Sequence, residues 1–411
     1  MRSMLSKIIS LARNKYILSL AGNVIMSGFG LLTMTLIYRS LSKTEAGTWV
    51  LFQSTLLLVD TFRSGFLTTA FIKFYAGATK ERTEEVAGSA WLLGLAITGI
   101  LVLVSVLSLF FLHYISDEGL ALFFKWSGVY YAISLPWFLA TCVIQGDQHF
   151  GKLLYIRLSN QGSFIVFIII MIITGHMTLH NVLYAYLTSN AITSIYALLK
   201  NWTRITNLRN RSVTCAKEIY NFGKYSVGTN ISATLLGTAD SLIINFMLGP
   251  STLAIYDAGI KFIQFIEIPL RSFAATAMPV LSTAFNSNRR DEVIKITKKY
   301  IGIVTIGLIP VMLGTLLFAN EAILILGGEK YVHTEAPNIL RIIMIIALFY
   351  PADRFLALSL DVIHLPKINF YKVMVMVLIT VVTDFLAIYF TKSLYGVVIA
   401  TILPTIFAIF S

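Results

Sequence analysis

Long apolar runs of about twenty residues, separated by short polar connections, restrict the fold of this chain more than any other feature. A run of that length is what an α-helix needs to cross the hydrocarbon core of a bilayer. A segment in hydrocarbon must satisfy its own backbone N–H and C=O groups, which leaves helices or a closed barrel. Barrel strands are about ten residues long and alternate in polarity, and no such alternation runs through this sequence. Charged residues make up 13% of the chain, about half their share in a soluble domain. The chain therefore reads as an all-α polytopic membrane protein. Twelve spans are expected, at 17–38, 46–72, 87–112, 119–143, 153–174, 180–199, 222–248, 252–282, 298–319, 337–358, 368–390 and 394–411. No connection between them is long enough for a separate soluble domain.

Lys and Arg concentrate in loops on the cytoplasmic side of a membrane protein. Arg2, Lys7, Arg13 and Lys15 precede the first span, and Lys200, Arg204, Arg209, Arg211, Lys217 and Lys224 follow the sixth. Arg289, Arg290, Lys295, Lys298 and Lys299 follow the eighth. All three groups fall on one side, and Asp117, Glu118, Glu321, Glu329 and Glu335 fall on the other. Both termini are thus expected in the cytoplasm. The net charge of +12 is explained by this topology and by contact with anionic lipid, so no nucleic-acid partner is needed. The opening MRSMLSKIISLARNKY is basic and weakly amphipathic and reads as a surface helix, since no cleavage site of small residues follows a short apolar core. The other end, IFAIFS, lacks the basic residues expected there, so the chain reads as clipped. Cys142 falls in a span and Cys215 in a basic loop, and no disulfide is expected.

The sequence repeats itself at a shift of 207 residues. NVIMSGFGLLTMTLIYRSLSKTEAGTW (23–49) falls without a gap on NISATLLGTADSLIINFMLGPSTLAIY (230–256), pairing Asn23 with Asn230, Gly30 with Gly237 and Trp49 with Tyr256. Both segments enter from the same side. The expectation is two six-helix lobes, 1–208 and 209–411, related by a parallel pseudo-two-fold repeat with the substrate site where the halves meet.

The repeat pairs two groups of charges inside spans. DTFR (60–63) places Asp60 and Arg63 in span 2, and EIPLR (267–271) places Glu267 and Arg271 in span 8. An ionised side chain at mid-membrane costs about 2.5–3.5 kcal/mol on insertion scales. Either each pair neutralises itself and locks helices together, or the arginines serve a ligand. Arginine is the side chain best matched to phosphate oxygens. Asp240 in span 7 and Asp384 in span 11 are lone acids and candidates for an ion or a proton. Asp257 and Lys261 form a further pair near the periplasmic end of span 8, where a structural role suffices. Lys152 and Arg157 are expected to snorkel to the interface, and Asp353 and Arg354 to lie at the cytoplasmic end of span 10. Trp49, Trp126 and Trp202 fit an aromatic belt, and Pro269 is expected to kink span 8. The sequence holds no HExxH, no CxxC and no phosphate-binding G-x-x-x-x-G-K-[ST]. No enzyme activity, metal or cofactor is expected, and nucleotide-driven transport would require another chain.

These features resemble the multidrug, oligosaccharidyl-lipid and polysaccharide exporter superfamily. Within it the chain looks most like bacterial polysaccharide flippases of the O-antigen or capsule type. The resemblance is carried by LIYRSLSKTEAGTWVLFQS (36–54), by LGPSTLAIYDAGIKFIQFIEIPLRSFAATAMPVLS (248–282) and by Ala87 and Gly88 at the start of span 3. It implies transport of a polyprenyl-pyrophosphate-linked oligosaccharide from the cytoplasmic to the periplasmic leaflet of the inner membrane by alternating access. It also implies cavity arginines for the diphosphate, at positions matched here by Arg63 and Arg271, with Asp60 and Glu267 balancing them. An ion gradient (Na+ or H+) or the membrane potential would supply the energy, through Asp240 or Asp384. The implied partners are the lipid-linked substrate, membrane lipids and other polysaccharide-assembly proteins, with the chain itself a monomer. Two alternatives stay open: an ion-coupled multidrug antiporter of the same superfamily, and a membrane polysaccharide polymerase or ligase, which would need a larger outside loop than 320–336.

Overall fold

The computed structural model describes residues 15–363 and 365–411, apart from the side chains of 15–21, 225, 229, 275, 366 and 367. The basic segment 1–14, with Arg2, Lys7 and Arg13, lies outside them, as do His364 and the side chain of Lys15. Among the described residues all regular structure is helical. The first half holds α1 (Lys15–Ser40), α2 (Lys43–Tyr75), α3 (Lys80–Ser108), α4 (Glu118–Gly146), α5 (Phe150–Ile173) and α6 (Leu179–Leu199). After a 3-10 turn at Ile205–Asn210 come α7 (Val213–Leu248), α8 (Pro250–Ile260), α9 (Ile263–Asn286) and α10 (Arg290–Gly327). The chain closes with α11 (Glu329–Val332), α12 (Ala336–Ile346), α13 (Tyr350–Val362), α14 (Pro366–Thr391), α15 (Leu394–Ala400) and α16 (Ile402–Phe410). Helix covers every segment expected to span. Nine helical segments among the described residues are long and apolar enough to cross a membrane.

Local chemistry explains the helix starts. Thr79, Asp117 and Thr178 cap α3, α4 and α6 by accepting from the N–H groups of Arg82, Leu120 and Asn181, which otherwise lack partners in a first turn. Ser42 and Glu45 form a reciprocal box at the start of α2: Ser42 N–H reaches Glu45 Oε2 at 3.0 Å and Glu45 N–H reaches Ser42 Oγ at 3.2 Å. The matching break in the second half falls at Gly249, 207 residues after Ser42, and there Pro250 opens α8. Span 8 is interrupted at 261–262 and not at Pro269, which lies inside continuous α9. Helix α7 starts at Val213, earlier than expected, and takes in Cys215, a buried free thiol like Cys142.

The chain groups into two compact units: residues up to Leu41 with Phe52–Thr234, and Ser42–Leu51 with Leu235–Ser411. In unit 1 the core runs through Leu67, Phe71, Trp91, Leu139 and Ile219. The connection after α6 is held against α3. Trp91 Nε1 donates to Thr203 O at 2.8 Å, and Ser89 and Ser212 exchange two hydrogen bonds of 3.1 Å. Arg82 bridges Glu85 and Glu218 at the same end. In unit 2 the start of α2 packs on α8 so closely that a Cβ on Gly47 would stand 1.6 Å from the carbonyl oxygen of Pro250. Trp49 on the same stretch is buried, a core residue and not part of an aromatic belt. Isoleucine, leucine and phenylalanine side chains along α3, α10 and α14 face outward, among them Ile100, Leu103, Ile306, Leu317, Leu378 and Phe385. Contiguous apolar faces of this kind suit lipid and not water.

The connection after α6 is also packed at van der Waals limits. A Cβ on Gly88 would lie 2.1 Å from Asn207 O and 2.9 Å from Arg211 N. Gly88→Ala is expected to destabilise the protein by about 1–3 kcal/mol, as overpacking does. Gly99→Ala on the same helix, where nothing lies within 4 Å, should cost nothing. Thermal unfolding of both variants in detergent checks this, and equal midpoints would refute the packing account.

Candidate functional site

The two acid–arginine pairs share a sequence pattern and differ in environment. In unit 1, Arg63 Nη2 lies 2.6 Å from Asp60 Oδ1 across one turn of α2. Arg63 Nη1 donates to Ser134 Oγ at 3.0 Å and to Tyr131 O at 3.3 Å, both on α4. The guanidinium carbon stands 4.7 Å from the centre of the Phe138 ring and 5.4 Å from that of Tyr131, at cation–π range. The Arg63 side chain is 1% exposed and that of Asp60 23%. The structure encloses the Arg63 side chain between α2 and α4. The α4 residues that close around it carry no signal in the sequence beyond a run of aromatic and small side chains.

In unit 2, Arg271 Nη2 lies 2.7 Å from Glu267 Oε2, with the two side chains 72% and 42% exposed. A surface pair of this kind contributes about 0–1 kcal/mol in water. Nη2 donates to Glu267 Oε2, and the Arg271 side chain is otherwise largely exposed.

Unit 2 also brings together the two lone acids. Asp384 on α14 sits within hydrogen-bonding reach of Asp240 on α7 and is 1% exposed. Tyr256 on α8 donates to Asp240 Oδ2 at 2.5 Å. Asp240 Oδ1 and both oxygens of Asp384 have no hydrogen-bond donor among the described residues. Two neighbouring carboxylates repel unless a proton or a positive charge lies between them. Tyr350 at the start of α13 lies in the field of Asp240, Glu267 and Asp353.

Lys372 escaped the sequence reading. It lies on α14, its side chain is 4% exposed, and its Nζ meets Asp353 Oδ1 at 2.7 Å. A lysine in an apolar span was a signal that could have found it. Asp353 is thus the partner of a buried lysine and not simply the end of a span. Asp257 and Lys261 pair at 3.0 Å, as their spacing suggested. A cavity of about 350 Å³ in unit 1 is lined by Asp147, His149, Lys152, Lys200, Trp202 and Arg204 among others, and by none of Asp60, Arg63, Asp240, Glu267, Arg271 and Asp384. There Arg204 Nη2 donates to Asp147 Oδ2 at 3.3 Å.

Residues 20–336 match the sequence profile of the polysaccharide biosynthesis protein family. The chain belongs to this family. A curated relative, the probable low-salt glycan biosynthesis flippase Agl15 of Haloferax volcanii, is 21% identical over 193 residues, which span 47% of this chain and 40% of the relative. Among solved structures, an inward-facing multidrug resistance MATE transporter of the MOP superfamily aligns with a TM-score of 0.80 at 16% identity, over 96% of this chain and 97% of its own. The lipid II flippase MurJ in an inward closed conformation aligns with a TM-score of 0.75 at 14% identity, over 96% of this chain and 86% of its own. This family member is a multi-pass membrane protein with the helical fold of those transporters.

The two arginines should answer differently to removal. Arg63→Ala leaves Asp60 without its partner and is expected to destabilise by about 3 kcal/mol, the low end for a broken buried pair because Asp60 keeps some exposure. Arg271→Ala should cost less than about 1 kcal/mol. Chemical unfolding of the two variants in mild detergent distinguishes them, and a smaller loss for Arg63→Ala would contradict the enclosed geometry.

Proposed function

We propose that this chain flips a polyprenyl-pyrophosphate-linked oligosaccharide from the cytoplasmic to the periplasmic leaflet of a bacterial cytoplasmic membrane. Alternating access carries the substrate, and the product serves cell-surface polysaccharide of the O-antigen type. The match of residues 20–336 to the polysaccharide biosynthesis protein family supports this most directly. The shared fold with MurJ and the name of the Haloferax relative agree with it. The basic loops face the cytoplasm, together with both termini.

In this proposal Arg271 meets the diphosphate. Its pairing with Glu267 is exposed and exchangeable, and a phosphate offers the same forked geometry with more charge. Arg63, closed in by Ser134 and Phe138, holds α2 in place during transport. Asp240 and Asp384 take up the coupling H+ or Na+. A cation there offsets the repulsion of two buried carboxylates, and its release restores it.

A second reading, a cation-coupled drug exporter, draws on the MATE likeness and on the same acid pair. Its substrates would be cationic, for which a free arginine is the wrong charge.

In a strain lacking its polysaccharide flippase, Arg271→Ala is expected to reduce surface polysaccharide at least tenfold while the protein stays in the membrane, an effect of about 1.4 kcal/mol or more. Asp384→Asn and Asp240→Asn should make residual export insensitive to the collapse of ion gradients. Undiminished polysaccharide in Arg271→Ala would sink the substrate role. Drug resistance conferred by the native chain, with no restored polysaccharide, would favour the exporter.

A further inference from the structure

We propose that Arg157 and Asn160 on α5 form a phosphate-binding site within unit 1, occupied by the phosphate group of a lipid. Arg157, Asn160 and Gln161 stand at helical spacings of three and four and share one face of α5. That face meets α1. Arg157 Nη1 donates to Asn23 Oδ1 at 3.2 Å, and Gln161 Nε2 donates to Thr33 Oγ1 at 2.7 Å. Snorkelling was the expectation for Arg157; the structure instead turns it onto α1, half-buried.

The cations Arg63, Lys261, Arg271 and Lys372 each have a carboxylate within 3.0 Å. Arg157 has an amide oxygen and no carboxylate partner among the described residues. Residues 1–21 contain no Asp or Glu, so α1 has none to offer at this level. Asn160 lies one turn further on and its buried Nδ2 has no acceptor among the described residues. The cluster therefore combines a half-buried guanidinium without a carboxylate partner and an amide N–H group without an acceptor among the described residues. Such donors require an acceptor-rich anion, and a phosphate matches the arginine fork.

Its depth selects the source. Arg157 is seven residues beyond Phe150, the first of α5, or about 10 Å along the axis. Lys152 and the basic loops lie at that end. In the orientation proposed above this is the cytoplasmic leaflet, just below headgroup level, within reach of a lipid phosphate drawn inward. Two lipids carry the chemistry: the prenyl diphosphate of the proposed substrate, and an ordinary anionic phospholipid.

The test uses the full chain in phosphatidylcholine nanodiscs, titrated with farnesyl diphosphate and, separately, with short-chain phosphatidylglycerol. Arg157→Gln is expected to weaken binding of the cognate lipid at least tenfold, as loss of a charge-assisted hydrogen bond does. Asn160→Ala should weaken it severalfold, and Arg157→Lys should recover part of the loss; these two carry the test if Arg157→Gln does not fold. Selective loss of farnesyl diphosphate identifies the substrate as the source, and selective loss of phosphatidylglycerol identifies bulk lipid. Either supports the site. Wild-type affinity of Arg157→Gln for both lipids, or no binding by the native chain, overturns it. The flippase reading, on which the substrate source rests, is judged separately. It falls if the native chain binds phosphatidylglycerol and no prenyl diphosphate, and it survives if prenyl diphosphate binds regardless of Arg157.

Discussion

A charge carried into a bilayer has to be answered from within the protein, because hydrocarbon offers neither water nor counter-ions. At about 2.5–3.5 kcal/mol per ionised side chain on insertion scales, a handful of unanswered charges would offset the marginal stability of the whole fold. The chain meets this constraint in different ways at different places. Arg63 is enclosed, with an acid, a hydroxyl, a carbonyl and two aromatic rings around it. Lys372 is buried against Asp353. Arg271 keeps an acid beside it but remains open. Asp240 and Asp384 lie beside each other, where a proton or a positive charge relieves their repulsion.

The two acid–arginine pairs differ in spacing by a single residue. DTFR spaces its acid and arginine by three, and EIPLR spaces them by four. Successive residues advance about 100° around a helix, so the extra position turns Arg271 from one flank of its acid to the other. Pro269 occupies that position's neighbourhood and removes one backbone donor. Each spacing still permits an ion pair within one helix. The burial of each pair is then decided by what the rest of its unit presents, which for Arg63 is α4.

The spans were legible because membrane thickness writes itself into sequence as run length, and the breaks at Ser42 and Gly249 because capping and proline chemistry is local. The pairs Asp60–Arg63, Asp257–Lys261 and Glu267–Arg271 were legible for the same reason, since helical spacing alone brings them together. Contacts between distant helices were not. Nothing near Asp240 announces that Asp384, on α14, comes to lie beside it, or that Tyr256 reaches back to it from α8. The burial of Arg63 depends on Tyr131, Ser134 and Phe138, whose approach is a matter of packing. Trp49 looked like an interface residue because it falls near the start of a predicted span, and the packing that buries it is not written in the local sequence.

Within unit 2 the answered and unanswered charges belong to one electrostatic system. Tyr350 lies in the field of Glu267, Asp240 and Asp353, and Tyr256 in that of Asp240 and Asp384. Under the proposed function, a phosphate that takes Arg271 away from Glu267 leaves that carboxylate without its counter-charge. The negative field around Tyr350 and the acid pair then deepens, and a cation beside Asp240 and Asp384 is held more firmly. Linkage makes the effect mutual: whatever the phosphate adds to cation affinity, the cation adds to phosphate affinity. Coupling between substrate and ion would then need no dedicated relay. It follows from placing an exchangeable, exposed ion pair in the same unit as an acid pair whose Asp384 is buried, where charges interact more strongly than in water.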